Sequence, residues 1–241
     1  MGVSAGPKIP KKDLCLVVDA RNPLIHNGST TNITNIVERQ NSLTAPNSNI
    51  ATVEDDVAGT SFSFASANYA YQPSWSPVIN KYAFSAIAWI KYQAGQDNNY
   101  THIWRVNTDD NPSHHYYIQC DTRQEETPSI LQFVKDYTNS DWATDNTITN
   151  AEWNNSTTWF QIAFTIAQES EFKTYLNGEI HNTVQTTTED LSSFGNIDQI
   201  NFGSTYSTSG ARCGYFATYR RALTATEILE NYNAFKSRFG L

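Results

Sequence analysis

Trp159 to Ile180 reads WFQIAFTIAQESEFKTYLNGEI. Phe160, Ile162, Phe164 and Ile166 alternate with Gln161, Ala163 and Thr165, the two-residue period of a half-buried strand. Gln168 to Glu171 is polar and suits a turn. A second strand follows, with Phe172, Thr174 and Leu176 on one face and Lys173 and Tyr175 on the other. It ends at Asn177-Gly178, a strong hairpin signal, because a type I′ turn needs positive φ at both central residues. Two hairpins in series make a β-meander, and a meander with one apolar face must cover that face with a second sheet. The core is expected here.

At 241 residues the chain can bury one large sandwich core, and no shift in composition demands a second domain. Aromatic residues make up 13% and Met occurs once, a balance that favours strands over helices. The formal net charge of -8 comes without a basic stripe, which excludes the clustered phosphate contacts of a nucleic-acid binder. Cys15, Cys120 and Cys213 lie far apart and match no zinc or redox spacing, so they read as small buried residues of a chain folding in a reducing cytoplasm. No apolar run reaches the roughly 18 residues of a membrane span, and none near the N-terminus is long enough for a signal-peptide core.

Residues 1–12 hold two prolines and three lysines and read as an extended arm, with Lys8, Pro10, Lys11 and Lys12 as candidate attachment residues that order on a partner. From residue 13 to 241 a single β-sandwich domain is expected. Leu14 to Val18 is apolar throughout, a strand buried on both faces. Residues 30–56 are rich in Asn, Ser and Thr and read as a long loop region. Ser61 to Phe64 and Tyr69 to Tyr71 read as a strand pair, and Ala83 to Tyr92 as a long apolar strand. His102 to Val106, Tyr116 to Cys120 and Ile130 to Lys135 follow, and then a second long polar stretch from Asp136 to Thr158. Further strands are expected at Gln199 to Phe202 and Arg212 to Tyr219. The spacing of Ile228, Leu229, Tyr232 and Phe235 predicts a helix over 224–238. Thr224 is its N-cap, Glu227 completes a capping box, and Gly240 can stop it.

Several landmarks together carry a resemblance. Trp159 to Phe164, Tyr175-Leu176-Asn177-Gly178, the run GYFATYRRALT from Gly214 to Thr224, Glu227-Ile228 and Tyr232 resemble the concanavalin A-like lectin/glucanase superfamily, closest to its laminin-G-like (LamG) jelly rolls. The opening LCLVVDARNP, Leu14 to Pro23, and SFSFASANYAY, Ser61 to Tyr71, also fit. That combination is similar to LamG-like proteins of tailed-phage virions, those of marine and cyanobacterial phages in particular. The resemblance spans about residues 13 to 239. It implies an all-β, two-sheet antiparallel jelly-roll β-sandwich of about a dozen strands with one short C-terminal helix. It also implies a virion protein assembled in the host cytoplasm.

Some members of the superfamily are retaining glucanases with acids in an E-x-D-x-x-E pattern, which alternation aligns on one strand face. The nearest match is Glu54-Asp55-Asp56-Val57-Ala58-Gly59, where Gly59 stands in place of the second catalytic acid and the segment precedes the expected sheet. No catalytic residue is therefore assigned. Lectins of the fold often hold Ca2+ on oxygen ligands, and Asp136, Asn139, Asp141 and Asp145 offer such a set on one loop. Tyr137 departs from the family's metal loop, and a solvated acidic loop is the simpler account. Sugar binding needs aromatic faces beside amides and hydroxyls. Trp142, Trp153, Tyr100, Trp104, His114 and Tyr116 are the candidates, with Trp142 and Trp153 foremost because their neighbours are polar.

The expected function is a non-enzymatic virion surface protein, a head-decoration or tail-associated adhesion protein with a lectin-like fold. Its partners would be neighbouring virion proteins and host-surface polysaccharide, and it would sit on the particle as a homo-oligomer or symmetric array. The alternatives are a dedicated carbohydrate-binding lectin or adhesin and, behind it, a glycoside hydrolase.

Overall fold

A computed structural model of the chain describes residues 8–25, 32–45, 51–55, 57–63, 69–72, 74–92, 102–108, 117–121, 131–135, 141–145, 158–167, 171–185, 195–203 and 211–241. In chain order the first strands are β1 (Leu14–Asp19), β2 (Asn32–Ile33), β3 (Leu43–Thr44), β4 (Ala51–Asp55), β5 (Gly59–Ser63), β6 (Tyr69–Gln72), β7 (Ala83–Tyr92) and β8 (His102–Thr108). They are followed by β9 (Tyr117–Asp121), β10 (Leu131–Lys135), β11 (Asp141–Asp145), β12 (Trp159–Ala167), β13 (Glu171–Leu176), β14 (Glu179–Gln185), β15 (Ile197–Gly203) and β16 (Ala211–Tyr219). A helix, α1 (Ala225–Phe235), and a 3-10 turn at Lys236–Phe239 close the chain.

The strands form two eight-stranded antiparallel sheets. The first runs β14-β13-β12-β7-β16-β5-β4, with β1 also on β16, and the second runs β11-β10-β9-β8-β15-β6-β3-β2. This is the expected jelly-roll β-sandwich, with sixteen strands among the described residues rather than about a dozen. The additions β2, β3 and β4 fall in residues 30–56, and β11 falls in residues 136–158. Both regions read as loops because their side chains are polar. Edge strands need only a neighbour's backbone groups, and β4 pairs with β5 over its whole length as β11 does with β10. Ser61 to Phe64 and Tyr69 to Tyr71 also depart from expectation. The strands they contain, β5 and β6, lie in different sheets and do not pair with one another.

The meander is as read, with β12 flanked by β7 and β13 and β13 followed by β14. On its inner face Phe164 lies between Phe84, 5.6 Å away, and Phe172, 5.5 Å away. The second sheet enters this core through Phe202, which packs edge-on to Phe62 at 5.3 Å and stacks on Phe216 at 5.8 Å.

The outer face of the first sheet differs from expectation. Every residue from Trp159 to Ile166 is buried, polar ones included, so β12 is not half-buried. The cause is the C-terminal helix and turn, which lie over it. Trp89 stacks on Phe239 at 4.3 Å and on Tyr232 at 5.6 Å, Phe239 also meets Trp159 at 4.9 Å, and Tyr215 meets Phe235 at 4.3 Å. Gln161, with 0% exposure, donates from Nε2 to Oδ1 of Asn231 at 3.0 Å, while its Oε1 has no hydrogen-bond partner among the described residues. Gly214 lets Phe239 in, since a Cβ there would lie 2.5 Å from its Cε1. The same burial pushes the Tyr215 and Tyr219 hydroxyls well above the usual tyrosine range.

Local chemistry positions the helix. The Thr224 hydroxyl accepts from the Glu227 N–H at 3.2 Å and the Glu227 carboxylate accepts from the Thr224 N–H at 3.0 Å, the predicted capping box. Arg221 grips the same carboxylate with both terminal nitrogens, at 2.7 and 2.5 Å, and chiefly for that reason the Glu227 pKa is held down to about 2. The α-helix ends at Phe235 and tightens into the 3-10 turn, which Gly240 stops at φ +78°.

The Asn177-Gly178 turn has φ of 51° and 85°, as its type requires. Asn177 Oδ1 accepts from the Gln161 N–H at 3.0 Å, and the Asn177 N–H donates to the Gln161 carbonyl at 2.8 Å. A Cβ on Gly178 would stand 2.9 Å from Tyr232 Cβ and 3.1 Å from Leu229 Cδ1, so the turn is wedged beneath α1. Gly178→Ala meets both the left-handed backbone and this contact. It is expected to lower stability by about 1–3 kcal/mol, read from the urea midpoint at unchanged m-value. A midpoint equal to that of the parent protein would refute the wedge.

Cys15 and Cys213 are buried free thiols, and burial pushes Cys15 up to about 11. In the arm, Lys8, Lys11 and Lys12 are exposed and Pro10 is half-buried, while Ile9 packs against the core. Arg221 Nε donates to the Lys12 carbonyl at 3.2 Å. Among the described residues no helix is long and apolar enough to cross a membrane.

Candidate functional site

α1 lies over the outer face of the first sheet around β7, β12 and β16, which leaves the second sheet's outer face as the other broad surface of the sandwich. Its composition follows from register. One residue from each of the eight strands lines up in the order Asn32, Thr44, Tyr71, Asn201, Arg105, Gln119, Gln132, Thr144. Every one of these residue types donates or accepts hydrogen bonds. One residue along, on the opposite face, stand Ile200, Val106, Ile118, Phe133 and Ala143, with Ile33 against Leu43 at the far end and Gln72 opposite Ile200 as the polar interruption. The strand period of two therefore sorts the sheet into an apolar inner row and a polar outer row.

Across seven gaps of about 4.8 Å, the polar row is about 34 Å long. Its end residues Asn32 and Thr44 are exposed, whereas Asn201 at the centre is 3% exposed. A second outer row, two residues away, holds Gln199, Asn107, Tyr117, Val134 and Trp142. By register the two rows hold amide and hydroxyl residue types, three aromatic residues and Arg105, and Asp121 stands two residues from Gln119 on the same face of β9. Amides and hydroxyls match sugar hydroxyls as donors and acceptors, and aromatic faces suit the apolar faces of sugar rings.

The residues singled out from sequence are distributed as follows. Trp142 is on β11, in register with Val134 in the second outer row. Trp104 is on β8, in register with the core residue Phe202. Trp104 falls in the strand expected at His102 to Val106, whereas Trp142 had been expected in the polar stretch of residues 136–158 and belongs to a strand because its backbone pairs with β10. Tyr100, His114, Tyr116 and Trp153 lie outside the described residues, as do Asp136 and Asn139. Asp141 and Asp145 occupy the two ends of β11 and share the face of Ala143, opposite to that of Trp142. A loop would bring these two acids to one ion. An extended strand sets their Cα atoms about 13 Å apart. Among the described residues no three His, Cys, Asp or Glu side chains come together to hold a metal.

The Glu54-Asp55-Asp56 segment is also placed differently from expectation, since β4 is itself an edge of the first sheet. Glu54 is exposed and Asp55 buried, as alternation demands. Asp55 Oδ1 accepts from the N–H groups of Val57 and Ala58 at 3.0 and 2.9 Å and from Trp159 Nε1 at 3.3 Å. Its Oδ2 takes Lys91 Nζ at 2.9 Å and Arg212 at 3.4 Å. Burial alone would raise its pKa, but the Ala58 N–H, the Lys91 ammonium and the Val57 N–H outweigh burial and hold it at about 2. At neutral pH Asp55 is thereby an anion that ties β4, β7, β12 and β16 together. Gly59, with φ +81°, closes the turn that follows.

Sequence reasoning missed Arg105, Gln119, Gln132, Asn201 and Tyr71. The signal present was a polar residue centred in each short strand, Gln119 beside Ile118 and Gln132 between Leu131 and Phe133. The register that joins them across the sheet depends on long-range pairing.

Known structures share this architecture. Domain 4 of AbnA, an extracellular arabinanase from Geobacillus stearothermophilus solved with arabinotriose, matches with a TM-score of 0.63 and 14% identity over 92% of this chain and 98% of that one. The binding domain of botulinum neurotoxin serotype D matches with a TM-score of 0.64 and 14% identity over 92% of this chain and 51% of that one. Trypanosoma rangeli sialidase, solved with sialic acid, matches with a TM-score of 0.61 and 11% identity, over 96% of this chain and 34% of that one. The chain thus spans nearly all of the arabinanase domain, about half of the toxin domain and about a third of the sialidase. At such identities the likeness is one of fold. No match was found among curated protein sequences. The profile of the Concanavalin A-like lectin/glucanases superfamily (the Laminin_G_3 family) matches residues 64–229, more than half of the chain, and the protein belongs to that superfamily.

Proposed function

We propose that the protein is a non-catalytic carbohydrate-binding module that uses the outer face of its second sheet, carried on the surface of a tailed-phage virion as an adhesion or decoration protein. The observation that carries the binding reading is the unbroken polar row from Asn32 to Thr144, bordered by Trp142 and Tyr117 in the next row. Sugar ligands in two of the neighbours of this fold, arabinotriose and sialic acid, support it. The non-catalytic reading is supported by Asp55, whose carboxylate is spent on Lys91, Arg212 and Trp159, and by Gly59 in place of a second acid. The virion setting rests on the resemblance of the opening segments and on the exposed lysines Lys8, Lys11 and Lys12 of the arm. Particle incorporation of a chain lacking residues 1–12 tests that setting, and undiminished incorporation would remove the arm from it.

The binding reading is tested with the full chain on a broad glycan panel, with calcium and with EDTA. Saturable binding that falls about tenfold in Trp142→Ala and in Tyr71→Ala is expected, since each removes one aromatic platform worth about 1.4 kcal/mol. Folded protein that leaves the whole panel blank would overturn it. Loss in EDTA would show that binding needs a divalent cation.

A further inference from the structure

We infer that α1 and the first sheet enclose a binding site for water, built from Gln161, Tyr215, Tyr219 and Asn231, in which a bound molecule joins the helix to the strands. Three observations combine.

The first is an unmet demand for hydrogen bonds. Gln161 Oε1, the Tyr215 and Tyr219 hydroxyls and Asn231 Nδ2 have no hydrogen-bond partner among the described residues. None of the four side chains is more than 1% exposed, so bulk solvent does not reach them. Buried polar groups of native proteins pair with protein or with ordered water, because an unpaired one forfeits the bonds it made to solvent in the unfolded chain. The direct bond from Gln161 Nε2 to Asn231 Oδ1 at 3.0 Å does not remove the demand. Exchanging the two ends of both amides reverses that bond and still leaves one donor and one acceptor over.

The second is convergence. Register across β12, β7 and β16 puts Gln161, Trp89 and Tyr215 in one row of the outer face, Ala163, Ile87 and Ala217 in the next, and Thr165, Ser85 and Tyr219 in the third. Tyr215 and Tyr219 therefore stand on one face about 13 Å apart at Cα, with Ala217 between them. Burial raises both hydroxyls, and the Asn231 amide opposes it at each, which sets that amide beside the two of them. The same amide is bonded to Gln161, so Asn231 is the point on which the other three residues meet. Ala163 and Ala217, flanking Ile87 in the middle row, have side chains too short to fill the space between the longer ones.

The third is valence. Asn231 Nδ2 only donates, Gln161 Oε1 only accepts, and each tyrosine hydroxyl does either. A water molecule donates two hydrogen bonds and accepts two. Placed among the four groups, it accepts from Asn231 Nδ2 and one hydroxyl and donates to Gln161 Oε1 and the other hydroxyl, and every group is satisfied. A cation gains nothing from Nδ2 and an anion nothing from Oε1, so the mixed set selects a neutral molecule that both donates and accepts. Full enclosure holds that molecule to the size of water.

The test begins with a crystal structure of the full-length protein at a resolution that shows ordered solvent. A solvent peak within about 3.2 Å of at least three of the four atoms is expected. In solution, Tyr215→Phe and Tyr219→Phe keep the ring and each remove one hydroxyl. With water bound, each substitution breaks a hydrogen bond that was made, and Tm is expected to fall by about 2–4 °C in both variants. In a dry interface each would remove a hydroxyl that had no partner, and Tm would hold or rise. Direct bonds from Asn231 to the hydroxyls would also lower Tm, but the crystal would then show those bonds and no solvent peak. A Tm at or above the parent's in either variant, or an interface closed without solvent, would overturn the assignment.

Discussion

Trp89→Ala is expected to lower the unfolding free energy by about 3–5 kcal/mol, the range for truncating a large, fully enclosed aromatic. Trp89 has no exposed surface and stands between two stacking partners from the C-terminal segment, Phe239 at 4.3 Å and Tyr232 at 5.6 Å. Its loss opens a cavity and unseats the cover of the first sheet together. The neighbouring groups cannot collapse inward, because Gly214, Phe239 and Trp159 are already in close contact there. Chemical denaturation at pH 7 measures the change. A loss below about 1 kcal/mol would mean that the helix is not held to the sheet by this stack.

Asp55→Ala is the second large effect. The substitution leaves Lys91 and Arg212 without their shared anion and orphans the N–H groups of Val57 and Ala58 and the Trp159 Nε1. Removing one partner of a buried ion pair costs about 3–5 kcal/mol. Asp55→Asn retains the shape and isolates the charge, so its cost is expected to be the smaller. The same group sets an acid limit. Its folded pKa, about 2, lies below the ordinary aspartate value, so its stabilisation is present above the unfolded-state pKa near 4 and is lost as pH falls from about 4 to 2. Glu227, held at about 2 by Arg221, acts with the same sign. The parent protein should lose Tm across that window, and Asp55→Asn should lose less of it. Equal acid sensitivity in the two proteins would assign the transition to other carboxylates.

Much of the fold was legible because its signals are local. Asn177-Gly178 specifies its own turn, Thr224 and Glu227 specify their own cap, and Ala83 to Tyr92 is apolar enough to be a central strand on any pairing. Signals that depend on distant partners were misread or missed. Gln161 looks like the wet side of a half-buried strand until Asn231, 70 residues later, is found accepting from its Nε2 under the helix. Ala51 to Asp55 has no strand pattern of its own and becomes a strand only because β5 turns back onto it. The candidate site shows the same division. Trp142 stood out among polar neighbours in sequence, whereas Arg105 is one polar residue in a seven-residue strand, and only the ladder through β15 and β9 reveals its row.

Backbone amide NMR of the full chain, titrated with the tightest oligosaccharide from the glycan panel, tests the central claim most directly. The account predicts that saturable shifts concentrate in β6, β8, β9, β10 and β15, centred on Asn201, Arg105 and Gln119. Shifts confined to α1, to the outer face of β12 or to the β4–β5 hairpin around Asp55 would contradict it.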